Sequence, residues 1–203
     1  MSVFPPDMIE RFPALSSKNL FCVQVHDATR LHFDLRLQLD GTTFSWAIPK
    51  GMRMLQPGER RLAVQVNPHP LDYTTFEGVI PKGSYGAGAV LLFDIGHYQI
   101  HERDQDYQTS ESESSVVEEV DKIHEDRLRK GIASGKLTIT LRGEHLKDVT
   151  FKLILPENKR YDLKKDWILL GLKDAVNDEI AEIRSVRTGR NLMEVWQGTS
   201  KPT

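Results

Sequence analysis

The chain has 203 residues and a formal net charge of −2, with 39% hydrophobic and 28% charged residues. This length suits one globular domain with an added tail, and no apolar run approaches the ~20 residues that span a bilayer. Cys22 is the single cysteine, which excludes an internal disulfide and fits a reducing compartment. Because no signal peptide is recognisable at the N-terminus, we expect a cytoplasmic protein, or a nuclear one if the source is eukaryotic.

Short alternating segments separated by turn residues predict β-strands along most of the chain. Asp40-Gly41 lies between two such segments and predicts a tight hairpin turn. The predicted strands are 21–25, 31–37, 43–48, 61–66, 90–93, 97–101, 136–141, 149–155 and 167–172. Many short antiparallel strands at this spacing predict a barrel or a sandwich, with short helices at the periphery.

Charge is distributed unevenly beyond residue 100. Residues 101–126 carry ten acidic and two basic side chains with little to bury, which predicts a solvated Ser/Glu-rich insertion ending in a short helix. Residues 127–203 carry sixteen basic and ten acidic side chains, a weak indication of a nucleic-acid partner. Helices are predicted at 175–187 and 192–196, in the C-terminal tail.

The stretch QVHDATRLHFDLRL at residues 24–37 is the first segment whose residues indicate a functional site. Its apolar side chains fall on one face of the predicted strands, and the other face collects residues that a merely solvated surface rarely combines. Those residues are Gln24, His26, Arg30, His32, Asp34 and Arg36. His32 and Asp34 are about 7 Å apart along one strand, and a turn at residues 27–29 returns His26 toward them. This pattern predicts a divalent-metal site, although any single histidine is more often a structural one.

Further cationic residues, and two residues that can transfer a proton, lie near the ends of predicted strands. Lys50 follows Pro49, Arg61 begins a strand, and His69 and Tyr73 follow that strand. A metal ion beside several cations suits a phosphoryl group, whose negative charge they share. The glycine-rich stretch GVIPKGSYGAG at 78–88 lacks the nucleotide P-loop pattern, and we expect a fixed turn beneath the site rather than a phosphate-binding loop.

The motifs FCVQVHDATRLHFDLRLQLDG, SWAIPKG, RRLAVQV, HPLDYTTFEGVIPKGSYGAG and LLFDIGHY, in this order, resemble the phosphoesterase domain of bacterial DNA ligase D and its stand-alone homologues. The resemblance covers residues 21–98 almost without gaps. It implies a mainly β protein built on a compact antiparallel β-barrel. It also implies an N-terminal arm at 1–20, a phosphoesterase domain at 21–174 that contains the insertion at about 102–126, and a tail at 175–203.

The resemblance further implies a manganese-dependent enzyme, with other divalent cations as alternatives, that processes DNA 3′ ends. Such enzymes remove a 3′-terminal ribonucleoside and a 3′-phosphate, leaving a 3′-OH for repair. The metal ligands are then His26, His32 and Asp34. Phosphate contacts or catalytic groups are assigned to Gln24, Arg36, Lys50, Arg61, His69 and Tyr73. From the residue chemistry we assign catalysis to His69, Arg36 and Tyr73, because the histidine and the tyrosine can move a proton.

The expected partners are DNA or RNA-terminated DNA 3′ ends and a ligase or polymerase of end joining, with no membrane and a monomeric state. Asn67-Pro68 stands where the family has an acidic pair, and the family's charged N-terminal arm has no clear counterpart, so the ribonucleoside-removing step is in question. Two rival functions are a non-heme iron oxygenase, whose facial triad is a His-x-Asp pair with a distant histidine, and a DNA-end-binding module that has lost activity, which would not need the His26/His32/Asp34 set.

Overall fold

The structure, a computed structural model, describes residues 3–53, 55–102, 117–157, 165–172 and 182–198. Nine strands make up most of it: β1 Leu20–Asp27, β2 Leu31–Leu39, β3 Thr42–Ile48, β4 Arg60–Pro70, β5 Gly78–Ile80, β6 Gly88–His101, β7 Lys136–Arg142, β8 Lys147–Ile154 and β9 Asp166–Gly171. The helices are α1 Pro6–Arg11, α2 Val117–Ser134 and α3 Leu192–Trp196, with 3₁₀ turns at Pro13–Ser16 and Leu71–Thr75.

Eight strands close into an antiparallel barrel, which confirms the predicted fold class. The hydrogen-bonded order is β1-β2-β3-β4-β9-β8-β7-β6, and pairing of β6 with β1 closes the ring. The short strand β5 adds to the free edge of β6. Closure leaves no exposed edges among these eight strands, which is the usual way in which an all-antiparallel sheet avoids edge-to-edge association.

The barrel interior is the hydrophobic core, and alternation along each strand decides which residues fill it. Trp46 and Trp167 meet there edge to face, with ring centroids 5.6 Å apart. Tyr98 is fully buried, and its hydroxyl donates to the carbonyl of Gln38. On β1 and β2 the apolar residues Val23, Val25 and Leu35 are also fully buried, so the polar residues between them face outward.

Strand β6 runs unbroken for 14 residues, where the sequence predicted two strands separated by Asp94-Ile95-Gly96. The Asp94 carboxylate is buried and accepts hydrogen bonds from the backbone N–H groups of Ile95, Glu144, His145 and Leu146. A Cβ at Gly96 would lie 2.1 Å from the carbonyl oxygen of Arg142. The apparent turn residues therefore support close packing against the β7–β8 connection, and the predicted break is wrong.

The N-terminal arm and part of the C-terminal tail pack together outside the barrel. Phe4, Met8, Phe12 and Leu15 of the N-terminal arm form a second apolar cluster with Cys22, Leu92, Ile95 and Val186. Cys22 is fully buried in this second cluster. The N-terminal arm therefore covers the outer face of β1 and β6, and part of the C-terminal tail joins it.

The C-terminal tail is only partly as predicted. Helix α3 confirms the prediction at 192–196 and begins with a capping box formed by Asn191 and Glu194. The predicted helix at 175–187 lies largely outside the described residues. Its described end is not helical, because Arg184 pairs with Asn191 in an isolated antiparallel bridge and the chain turns between them.

Helix α2 begins inside the predicted Ser/Glu-rich insertion and is longer than expected, at 18 residues. His124 and Leu128 are buried, and Nδ1 of His124 accepts a hydrogen bond from the backbone N–H of Ile100. The later part of the predicted insertion is thus a packed element, whereas residues 103–116 lie outside the described residues. Within the described ranges, no helix combines the length and hydrophobicity needed to cross a bilayer.

Candidate metal centre and active site

The hairpin β1–β2 assembles the polar face predicted from residues 24–37. His26 pairs directly with His32, and Gln24 with Asp34. Directly paired residues of antiparallel strands project to the same face. The turn between the strands therefore brings the imidazole of β1 beside the imidazole and carboxylate of β2, as the sequence predicted.

His26, His32 and Asp34 each offer a ligand atom, and these atoms all lie within 4.8 Å of one another. Nδ1 of His26 is 3.9 Å from Oδ2 of Asp34, and Nε2 of His32 is 3.6 Å from its Oδ1. The two imidazole centroids are 4.9 Å apart. Two imidazoles and a carboxylate are a donor set that suits Mn²⁺, Fe²⁺ or Zn²⁺.

Backbone carbonyls orient both imidazoles. Nε2 of His26 is 2.9 Å from the carbonyl oxygen of Gly86, and Nδ1 of His32 is 2.8 Å from that of Arg30. Each carbonyl accepts the ring proton, which leaves the lone pair of the other nitrogen directed to the cluster. Burial lowers the pKa of His26 below its usual value, which favours the neutral, ligating form. The residues therefore fit a divalent cation.

Arg36 connects the cluster of His26, His32 and Asp34 to the rest of the site. Its Nη2 donates to Oδ2 of Asp34 over 2.9 Å, and its Nη1 lies 2.9 Å from Nδ1 of His69. Its Nε donates to Oε1 of Gln24 over 2.8 Å. The guanidinium is only 3% exposed, so the three partners fix it in place. Arg36 therefore positions a ligand carboxylate and an imidazole at once.

Gln24 anchors the segment that follows β4. Its Nε2 donates to the carbonyl oxygens of Tyr73 and Phe76, at 2.9 and 3.0 Å, while its Oε1 accepts from Arg36. Gln24 is fully buried. The structure thus places Gln24 beneath the site, where it holds Arg36 and the 3₁₀ turn.

An aromatic stack extends from Arg36. The Arg36 guanidinium lies 5.1 Å from the ring centroid of Tyr73, which packs between His69 and Phe76, with centroid distances of 5.1 Å to both. Burial, followed by the nearby Arg36, lowers the pKa of His69, and burial raises that of Tyr73. Both groups are therefore neutral near pH 7 and hold a transferable proton.

These residues line one cavity of about 630 Å³, within the range of small-ligand sites. Its polar wall consists of His26, His32, Asp34, Arg36 and His69. The other lining residues are Ala28, Val66, Tyr73, Phe76, Ile80, Tyr85 and Gly86. A group of three possible metal ligands, a guanidinium and the His69 imidazole thus face the same space, an arrangement suited to phosphoryl chemistry.

The sequence profile of the DNA ligase D 3′-phosphoesterase domain matches residues 24–154, more than half of the chain. The chain belongs to this family. Its described barrel and its outward-facing cluster on β1–β2 are therefore those of a DNA ligase D phosphoesterase-family domain.

Curated relatives carry the same family domain within much longer proteins. The chain is 57% identical over 93 residues to the multifunctional non-homologous end joining protein LigD of Pseudomonas aeruginosa, covering 45% of this chain and 11% of that protein. It is 33% identical over 173 residues to the protein of the same name from Mycolicibacterium smegmatis, covering 85% and 19%. A third relative, from Mycobacterium tuberculosis, is 42% identical over 99 residues, covering 49% and 13%. The chain spans less than a fifth of each relative.

Three residues that the family resemblance assigned to phosphate or catalysis do not line this cavity: Gln24, which is buried beneath it, Lys50 and Arg61. Asp34 pairs with Ala47 and Ala47 with Val64, so Arg61, three residues from Val64, projects to the opposite side of the sheet. There its guanidinium pairs with Glu59 and donates to the carbonyls of Gly51 and Arg53. Lys50 is exposed beyond the end of β3 and does not line the cavity. The contacts of Arg61 support a structural role for this residue.

Sequence reasoning missed the part of the tail that supports this phosphoesterase-family site. The Glu77 side chain is fully buried and accepts hydrogen bonds from Arg190, Thr188 and the N–H of Leu92. Arg187 donates to the carbonyl of Thr75. These contacts tie the C-terminal segment to residues 71–80, which carry Tyr73 and Phe76. The only hint in the sequence was the arginine-rich run SVRTGRN.

Proposed function

We propose that this protein is a manganese-dependent DNA 3′-end-processing phosphoesterase. It removes a 3′-phosphate, and a 3′-terminal ribonucleoside as a second activity, to leave a 3′-OH for repair. The observation that carries the proposal is the convergence of His26, His32 and Asp34 with Arg36 and His69 in one cavity, in a chain of the phosphoesterase-domain family.

The metal ligands in this proposal are Nδ1 of His26, Nε2 of His32 and Oδ1 of Asp34. The second carboxylate oxygen of Asp34 is already paired with Arg36, which directs Oδ1 to the cluster. A divalent cation held there supplies Lewis-acid polarisation of a phosphoryl oxygen. Manganese is preferred in the proposal because of the family resemblance, and the donor set also admits other divalent cations.

His69 is the proposed hydrogen-bond donor to the leaving oxygen. A guanidinium only donates hydrogen bonds, so Nδ1 of His69 accepts from Arg36 and the proton of the neutral ring resides on Nε2. The Nε2–H donates a hydrogen bond that stabilises the negative charge developing on the leaving oxygen, and the ring keeps its proton. Tyr73 packs against this ring and keeps it in place, and its hydroxyl is the proposed proton donor to that oxygen.

Arg36 carries positive charge at the junction of the metal cluster and His69. Three of its five N–H groups bond to protein partners, so its main contribution is to fix Asp34 and His69. Its charge also stabilises the negative phosphoryl group in the same cavity. Gln24, Lys50 and Arg61 are left out of the proposed phosphate contacts because of where the structure places them.

The proposed partners are DNA or RNA-terminated DNA 3′ ends, and a ligase or polymerase that uses the resulting 3′-OH. The names of these relatives place those proteins in non-homologous end joining. A monomer in the cytoplasm fits the proposal. The family match favours a phosphoesterase over the iron oxygenase that the His-x-Asp pattern also allowed, and the assembled cluster favours an enzyme over a binding module without activity.

The deciding experiment uses labelled primer-templates that end in a 3′-phosphate or in one 3′-ribonucleotide. Each is incubated with the protein, with and without Mn²⁺, and the products are separated on a gel. We expect phosphate release only with the metal, and nucleoside loss from the ribonucleotide end as a separate band. Binding of the ends without any product would support the inactive module, and oxidation of a keto acid with Fe²⁺ would support the oxygenase.

A further inference from the structure

Tyr85 has the most accessible large hydrophobic side chain in the described part of the chain, with 87% of its surface exposed. Its backbone is nevertheless well defined by hydrogen bonds. The N–H of Ser84 donates to the carbonyl of Pro81, and the N–H of Ala87 to that of Ser84. Gly83 and Gly86 on either side adopt φ angles of +94° and +74°, which favour glycine. Two consecutive turns therefore present the ring to solvent.

This ring lines the cavity that also contains His26, His32 and Asp34. The residue that follows it, Gly86, accepts the hydrogen bond from Nε2 of His26 over 2.9 Å. Tyr85 also lines the same cavity as His26, together with the apolar side chains of Val66, Phe76 and Ile80. The cavity thus has an apolar lining that a phosphate ion by itself does not need.

We propose that Tyr85, with Phe76 and Ile80, forms a stacking platform for the terminal nucleobase of the nucleic-acid 3′ end. The inference rests on the proposed function, since that function puts the phosphate of the end beside the metal cluster. A base is joined to this phosphate through one sugar and has flat apolar faces. Exposed aromatic rings bind such faces without regard to base identity, because every base has a π-face.

The side chains that line the cavity predict which 3′ ends the platform prefers. Val66, Phe76 and Ile80 offer no side-chain hydrogen-bond donors or acceptors to base edges. The platform therefore prefers an end that carries a base over one that lacks it, with little preference among the four bases. It strengthens binding of the substrate and leaves the chemical step to the metal cluster and His69.

The test compares two oligonucleotides that end in a 3′-phosphate and differ only at the last residue, which either carries a base or is abasic. The variants are Tyr85→Ala, Tyr85→Trp and, as a control on another exposed apolar side chain, Met193→Ala, whose side chain is 64% exposed and outside the cavity. Loss of one base–aromatic contact predicts an increase of about ten-fold in KM. We expect this increase for Tyr85→Ala on the base-bearing end only, with kcat within about two-fold of the wild type.

Tyr85→Trp should restore the low KM, and Met193→Ala should change nothing. If Tyr85→Ala raised KM equally for both oligonucleotides, the platform would be overturned. It would also be overturned if KM changed for neither, and that result would fit a ring that contacts a protein partner instead. Failure of the proposed function looks different, because the wild type then releases no phosphate from either end. In that case fluorescence anisotropy of the same oligonucleotides decides, since the platform still requires weaker binding of the base-bearing end by Tyr85→Ala.

Discussion

Nη1 of Arg36 donates a hydrogen bond to Nδ1 of His69 over 2.9 Å. The guanidinium thereby sets the tautomer of the imidazole, places its proton on Nε2 and opposes its protonation. Burial lowers the pKa of His69 in the same direction. Through Arg36 this pair is linked to the Asp34 carboxylate, a ligand of the metal in the proposed function.

His69→Ala should therefore slow turnover and leave metal binding unchanged. Loss of a hydrogen-bond donor to the charge that develops in the transition state costs at least about 100-fold in kcat, and added Mn²⁺ cannot replace that donor. We would measure kcat over a Mn²⁺ titration, with His97→Ala as a control because His97 is an exposed histidine on β6. Full recovery of the rate at high Mn²⁺ would instead make His69 a metal ligand.

His32→Ala and Asp34→Ala should abolish tight Mn²⁺ binding while the fold survives. Both side chains lie on the outward face of β2, so their removal leaves the barrel interior untouched. Even supporting partners of metal ligands change affinity by about 10- to 100-fold, and loss of a ligand should cost at least that much. Calorimetric titration with Mn²⁺ measures the affinity, and circular dichroism reports the fold. Wild-type affinity in either variant would exclude that residue as a ligand.

Arg61→Ala should lower stability rather than turnover. The guanidinium is 7% exposed, pairs with Glu59 and donates to carbonyls of residues 50–53, and its hydrogen bond lowers the pKa of Glu59 to about 2. Leaving buried carbonyls without donors predicts a loss of about 3 kcal/mol in unfolding free energy. Denaturant unfolding measures it.

The neighbouring Arg60 is exposed on the same strand, so Arg60→Ala is the matched control, with a change below about 0.5 kcal/mol. If Arg61→Ala kept its stability and lost turnover, the phosphate contact that the family resemblance implies would be the better account.

Glu77→Gln and Arg190→Ala should each reduce activity by loosening residues 71–80. The Glu77 side chain is fully buried, and that of Arg190 is 17% exposed, so either variant leaves the other residue without its oppositely charged partner. We expect about ten-fold lower kcat with unchanged Mn²⁺ affinity, because the metal ligands lie on β1 and β2. In the double variant the two losses should not add, since the residues share one interaction.

Arg184→Ala serves as the comparison for these variants. Arg184 pairs with Glu182 in the same segment, but both side chains are substantially exposed, and such pairs contribute little. Equal losses in Arg184→Ala and Arg190→Ala would show that the segment, and not the buried ion pair, controls activity.

Stability should fall between pH 7 and pH 4.5 because of His124. Burial, followed by Arg127, lowers its pKa from 6.5 to about 4, so between these values the unfolded chain binds the proton and the folded chain does not. The contribution of this group is full above pH 6.5 and decreases as the pH falls, by about 3 kcal/mol at most. The free energy of unfolding, measured by urea denaturation, should show a flatter pH dependence in His124→Gln. An unchanged dependence would exclude His124.

The sequence by itself determined the barrel and the convergence of His26, His32 and Asp34. Strict alternation in residues 31–37, with Asp40-Gly41 between two strands, specifies a hairpin and its register, because a shift by one residue would turn Leu35 out of the core. The same alternation puts His32 and Asp34 on one face, and the turn at 27–29 returns His26 to it. These are local relationships, which spacing along the chain expresses directly.

Only the tertiary structure decided the roles of Arg61, Gln24 and the C-terminal segment. Arg36 and Arg61 are both arginines on strands, but the register from β2 through β3 to β4 puts them on opposite sides of the sheet. Asp94-Ile95-Gly96 has the composition of a turn, yet the N–H groups of residues 144–146 satisfy the carboxylate and keep β6 intact. Glu77 and Arg190 meet across 113 residues. No local pattern encodes such contacts, because their free energy depends on burial that exists only once the barrel has closed.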